Sequence, residues 1–234
     1  MATIRILSGG AAQTVVERIA VDFQRDTGHE IIAEFSAVGA MAAKITAGEP
    51  VEVAVLTAVL IDELIANGFL IAGSRADLGR VGTGVAVRAG TPLPDVSNAE
   101  ALRGNMLAAY KIVCPDPAIA TAGKVVMNLV EQLGIPHEVR GKMQFFPNGY
   151  AAMSWLATSG GAREMGITQV TEILPNKGVT LAGPLPQALQ VKTVYSAGLV
   201  AQARHPEVAK AFLARLTAPA ARPILVAAGY EVES

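Results

Sequence analysis

Hydrophobic positions along this chain switch between two rhythms, a short unbroken run and a helical repeat. Ile4 to Leu7 is a strand-like run followed by Ser8-Gly9-Gly10, and after it Val15, Val16, Ile19 and Phe23 recur at helical spacing up to Thr27-Gly28. Ile31 to Phe35 is the next strand, followed by Ser36-Ala37-Val38-Gly39 and a helix that stops at Ala47-Gly48. Val51 to Leu56 is a third strand with Thr57 at its edge, and Leu60, Ile61, Leu64 and Ile65 line a helix ending at Asn67-Gly68. Strands and helices alternating at this length predict a mostly parallel sheet with helices on both faces.

The rhythm then changes. Gly79 to Val87 reads as one long, glycine-punctuated strand, and Ala89 to Asp95 as a turn-rich loop. Ser97 followed by Glu100 fits a capping box that opens a helix through Met106. A second round of strand-to-helix units begins at Ile112 to Cys114, whose helix carries Val125, Val126, Leu129, Val130 and Leu133. Phe145-Phe146 leads to a helix carrying Ala152, Trp155 and Leu156, with Trp155 read as core. Met165 to Ile167 leads through Thr168-Gln169 to a short helix ending at Pro175. Val191 to Val200 reads as a strand returning to the first half, and two helices close the chain, near 206–216 and 219–227. The expected fold class is α/β: two Rossmann-like lobes with mixed, mostly parallel sheets, joined by two crossing strands. Lobe I is 1–82 plus 194–234, lobe II is 83–193, and the ligand cleft is expected between them.

Composition narrows the function. Of 234 residues 51% are hydrophobic, which suits a packed α/β chain rather than a disordered one. With 19 basic and 20 acidic residues the net charge is −1, and no basic tract interleaves with aromatics, so nucleic acid is not an expected partner. Apolar runs such as Val51 to Ile61 fall short of the roughly 20 residues a spanning helix needs, so no membrane insertion is expected. The single cysteine, Cys114, excludes an intrachain disulfide and reads as a small buried residue. His29, His137 and His205 share no metal-ligand spacing, and Gly123-Lys124 fails the phosphate-loop pattern, so neither a metal nor a cofactor is expected. Met1-Ala2-Thr3 runs straight into the first strand, which implies a cytoplasmic protein if Met1 is the native start and a periplasmic one if a signal peptide was removed.

The candidate chemistry sits at the strand-to-helix junctions. In open α/β sheets ligands bind beyond the carboxyl ends of strands, where helix N-termini offer backbone N–H groups. The junctions here are Ser8-Gly9-Gly10, Ser36-Ala37, Thr57, Thr121-Ala122, Asn148-Gly149-Tyr150 and Thr168-Gln169. Glycine and alanine let backbone approach an anion closely, and the hydroxyls add neutral donors. The same residue types also serve as plain helix caps, so that reading stands beside the ligand one.

Three segments carry a family resemblance: Ile4-Arg5-Ile6-Leu7-Ser8-Gly9-Gly10-Ala11, Asp22 to Gly28, and Phe35 to Ala40. They resemble the opening of molybdate-type (type 2) periplasmic solute-binding proteins, the substrate-binding components of ABC transporters. His205 to Leu213, Pro219 to Arg222 and Ala228-Gly229-Tyr230 look like the same family's closing helices. The resemblance implies a periplasmic-binding-protein-like fold and an anion held by Ser8, Ser36, Ala122, Gly149 and a residue near Thr168 or Gln169. Gly9-Gly10, Thr57-Ala58-Val59 and Thr168-Gln169 depart from the family's usual residues, the last standing where a tyrosine is expected. Those departures place a small organic carboxylate beside an oxyanion as the expected ligand.

Besides a ligand-sensing domain for a regulator, which would need a partner chain because no DNA-binding element is read in the sequence, two functions stand open. One is a solute-binding module for a small anion, with an ABC transporter permease as partner if the protein is exported. The other is an isomerase on the same scaffold, resembling aconitate isomerase, that shifts an allylic proton in an unsaturated polycarboxylate. A shift of that kind needs a base near the carbon acid, for which Tyr150, Lys124 and Glu172 are the candidates.

Overall fold

The computed structural model describes residues 1–232. Its contacts divide the chain into two units, Met1–Val81 with Thr193–Ser234, and Gly82–Lys192.

The first unit is built on a six-stranded sheet in the order β11-β4-β10-β3-β1-β2. Its strands are β1 (Thr3–Gly9), β2 (Glu30–Ser36), β3 (Val53–Thr57), β4 (Ala76–Val81), β10 (Thr193–Leu199) and β11 (Tyr230–Glu231). β1 runs parallel to β2 and β3, while β10 is antiparallel to β3 and β4, and β11 to β4. Helices α1 (Gln13–Thr27), α2 (Val38–Thr46), α3 (Ala58–Ala66), α9 (Pro206–Thr217) and α10 (Arg222–Ala227) flank the sheet. Helix α1 shows how the pattern works: Val15, Val16, Ile19, Ala20 and Phe23 are its buried face. It stops at Gly28, whose left-handed φ of 71° lets its N–H close on the Gln24 carbonyl at 2.9 Å. The Phe23 ring meets Phe212 of α9 edge-on at 5.3 Å, both rings essentially without solvent exposure.

The second unit holds a five-stranded sheet in the order β7-β6-β8-β5-β9. Its strands are β5 (Thr83–Arg88), β6 (Lys111–Pro115), β7 (Met143–Phe146), β8 (Glu164–Gln169) and β9 (Val179–Pro184). β6 is parallel to β7 and β8, and β5 is antiparallel to β8 and β9. Its helices are α4 (Ala99–Ala108), α5 (Thr121–Gln132), α6 (Pro136–Val139), α7 (Gly149–Ser159) and α8 (Val170–Ile173). The period of two along the strands sends neighbours to opposite faces. Val85, Ile112, Cys114 and Ile167 pack with Val126 and Leu129 of α5, whereas Ala86 and Val113 pack with Ala152, Met153 and Leu156 of α7. The fold class is thus the mixed, two-unit α/β arrangement expected, with the parallel strands β3-β1-β2 and β7-β6-β8 along one side of each sheet and antiparallel pairings along the other.

Several expectations are corrected. The run Gly79 to Val87 is two strands, β4 and β5, broken at Gly82, whose carbonyl accepts from the Val170 N–H at 3.0 Å. Helix α4 is capped by Asn98, which accepts from the Ala101 N–H at 2.9 Å, rather than by Ser97. Ser97 instead closes a turn through its own N–H to Asp95. Trp155 is only partly buried: it lies beside Phe146 at 6.0 Å, with the Lys111 ammonium 4.7 Å over its ring. Strands β9 and β11 carried no signal that was read.

Candidate functional site

In the first unit the carboxyl ends of three adjacent strands lie level. The pairing register sets Gly9 beside Ser36, and Ser8 beside Val55, two residues short of Thr57. These ends feed α2 and α3 and the single-turn 3-10 helix Gly10–Ala12 before α1. The side chains there do different work. Ser8 is fully buried and its hydroxyl donates to the Gly9 carbonyl at 3.0 Å. Thr57 caps α3, its hydroxyl accepting from the Leu60 N–H at 3.5 Å. Ser36 is partly exposed, and among the described residues its hydroxyl has no hydrogen-bond partner. Ala37 is the N-cap residue of α2 and offers no side-chain cap. Gly9 is a glycine because of close approach: a Cβ there would stand 2.5 Å from a Val38 methyl and 3.2 Å from the Tyr195 ring. Tyr195, paired with Thr57 across β10 and β3, is a buried neighbour that the sequence reading missed. A tyrosine inside a returning strand gives no signal of its own.

In the second unit the ends of β6, β7 and β8 point the same way, since β6 is parallel to both neighbours. Thr121 and Ala122 begin α5, where no side chain caps the helix, and Ala122 is buried. Asn148 caps α7 by accepting from the Ala151 N–H at 2.8 Å. Gly149, Thr168 and Glu172 converge. The Thr168 hydroxyl donates to Glu172 Oε2 at 2.6 Å, and the Gly149 N–H donates to Glu172 Oε1 at 3.3 Å. A Cβ on Gly149 would collide with both the Glu172 carboxyl and the Thr168 hydroxyl, so only glycine fits. Tyr150, partly buried, follows Gly149 in the first turn of α7. Gln169 is buried as the N-cap residue of α8, and its backbone also hydrogen-bonds Glu172.

Burial dominates the electrostatics of this cluster. It pushes the Glu172 carboxyl up to about 7, with the bonds from Thr168, Gly149 and Gln169 pulling the other way. Thr171 Oγ1, one residue before, is buried with no hydrogen-bond partner. Lys124 stands exposed on α5. Of the three candidate bases, Glu172 is the buried one. Among the described residues no group of three or more His, Cys, Asp or Glu side chains is placed to hold a metal ion. No helix among them is long and apolar enough to cross a membrane.

Comparison with known proteins agrees with this architecture. The chain is 27% identical over 216 residues to an aconitate isomerase of a Pseudomonas species, covering 90% of this chain and 80% of that protein. The periplasmic molybdate-binding protein of Azotobacter vinelandii superimposes with a TM-score of 0.84 at 22% identity, covering 99% of this chain and 100% of the other. A sulfate-binding protein of Mycobacterium tuberculosis does so with a TM-score of 0.79 at 14% identity, covering 98% and 86%. The model of the bacterial extracellular solute-binding protein family matches residues 4–231, and the chain belongs to that family.

Proposed function

We propose that the protein captures one small anion, an oxyanion or a small organic carboxylate, with neutral donors at its strand-to-helix junctions. Where the protein is exported, it then presents that anion to a transporter permease. The observation that carries this reading is the level row of Gly9, Ser36 and Thr57 at the ends of β1, β2 and β3, with no acidic or basic side chain among those three residues and an unspent hydroxyl on Ser36. Neutral donors suit a fixed anion because backbone N–H groups and hydroxyls hold it without a rearranging counter-charge. The fold relatives that bind molybdate and sulfate support the chemical class.

Titration calorimetry with molybdate, sulfate, cis-aconitate and trans-aconitate tests the reading. At least one binds the wild-type protein, and Ser36→Ala weakens it about tenfold to a hundredfold, the cost of a hydrogen bond to a charged group. Unchanged affinity in Ser36→Ala removes that hydroxyl from the site; silence from all four anions defeats the reading.

A second reading is favoured by Glu172 together with the aconitate isomerase relative. A buried carboxyl near neutrality can take a proton from one allylic carbon and return it to another as the double bond moves. Proton exchange into cis- and trans-aconitate followed by NMR decides this, and absence of both exchange and interconversion excludes it for those substrates.

A further inference from the structure

The buried Glu172 carboxyl lies against the N-terminus of α7, at the same junction to which the anion-binding reading assigns Gly149 and Thr168. An anion and a carboxylate in one poorly solvated region repel, and the carboxyl can relieve the conflict by taking up a proton. We propose that Glu172 is a positioning residue that ties the first turn of α7 to the end of β8, and that anion capture by this protein is coupled to protonation of its carboxyl. The proposal rests on the anion-binding reading above.

Three features support it. First, the group is held at both oxygens, Oε2 by the Thr168 hydroxyl at 2.6 Å and Oε1 by the Gly149 N–H at 3.3 Å, so its charge acts at a fixed place. Second, among the described residues no cation is paired with it. Among elements packed on α8, β9 carries no ionisable side chain, α7 carries Tyr150, β8 carries Glu164 and β5 carries Arg88. Glu164 and Arg88 lie at the far ends of their strands, where Glu164 accepts from the Gly161 N–H and Arg88 donates to the Gly160 carbonyl. Only Tyr150 shares the near end among these. Third, burial already raises the carboxyl into the neutral range, so a modest further push by a bound anion changes its proton occupancy at working pH.

The coupling has a definite sign. Protonated Glu172 favours the anion, so affinity is highest at low pH and falls as pH rises through the neutral range. A one-unit rise of its pKa in the complex corresponds to about a tenfold loss of affinity across the transition. The test measures affinity for molybdate, sulfate, cis-aconitate and trans-aconitate from about pH 5.5 to about pH 8.5, in wild type and Glu172→Gln. Taking the difference between the two proteins cancels the titration of each anion itself. Calorimetry in buffers of different ionisation enthalpy reads the proton uptake directly. The expected result is a wild-type affinity that falls about tenfold with fractional proton uptake near pH 7.5, and a Glu172→Gln profile without either. Glutamine keeps an oxygen acceptor for the Gly149 N–H and offers an amide N–H that the Thr168 hydroxyl can accept, so a purely structural role leaves the two pH profiles parallel. Parallel profiles with anion binding intact overturn the coupling and leave the anion-binding reading standing. Failure of every anion to bind wild type at any pH overturns that reading and the coupling together. If Glu172→Gln does not fold, the wild-type proton count decides alone, and zero uptake overturns the proposal.

Discussion

Desolvation acts on the Cys114 thiol and the Glu172 carboxyl in the same direction, by penalising their charged forms. Cys114 has no exposed surface, and burial with the nearby Asp116 charge pushes its thiol up to about 12. A thiol of that kind is almost wholly protonated at neutral pH and shut off from reagents. Cys114 is accordingly expected to resist a thiol-reactive chromophore in the native protein and to react fully in guanidinium; stoichiometric labelling of native protein at neutral pH contradicts this. At this scale the sequence was informative about residue type and silent about employment. Ser36, Thr57 and Asn148 all stand at strand-to-helix junctions with the same donor chemistry. Yet Thr57 and Asn148 spend their oxygens as helix caps, and Ser36 does not. A cap and a ligand donor call for the same short polar side chain in the same place, so only the hydrogen-bond geometry tells them apart.

Elements were legible wherever the apolar period was strong and bounded by breakers. The face of α1 and the alternation in β1 follow that rule, with Ile4 and Ile6 buried and Arg5 between them exposed. The run Gly79 to Val87 misled because its apolar pattern continues through Gly82, while the chain there passes from the sheet of one unit to that of the other. Strand β9 escaped because it is an edge strand bonded to β5 alone, where little burial is demanded of its side chains. The joint between α7 and α8 carries its own stability signature. The Glu172 carboxyl has a folded pKa of about 7 against an ordinary value of 4.5. A group raised in this way lends its full stabilisation below about pH 4.5 and loses it as pH climbs through about 7. Glu172→Gln has no such loss. Its stability relative to wild type is therefore expected to rise by on the order of 3 kcal/mol between those limits, as read by urea unfolding at a series of pH values. A constant difference across that range contradicts the assignment.

At the scale of the whole molecule, each unit has its own hydrophobic core, gathered on Ile4, Ile6, Phe23 and Phe212 in the first and on Val85, Ile112, Leu129 and Ile167 in the second. A ligand that binds the folded chain and not the unfolded one stabilises the native state by mass action. An anion that passes the titration test is expected to add about 2.7 kcal/mol at 100 times its dissociation constant, measured as a rise in the unfolding midpoint. Saturation without any rise means that the anion binds folded and unfolded chains alike. The division into two α/β units was legible because the strand-to-helix rhythm runs twice with a change between. The identity of the anion was not, because neutral donors specify charge and size more than they specify an element or a carbon skeleton.

The order of strands in the first sheet has a consequence for biosynthesis. β4 pairs only with β10 and β11, and both are translated after the whole of Gly82–Lys192. On the ribosome β4 therefore waits with both its edges bare while more than a hundred residues emerge behind it. The inserted unit has every strand of its own sheet in hand before β10 arrives, so the later segment assembles first and the earlier one closes last.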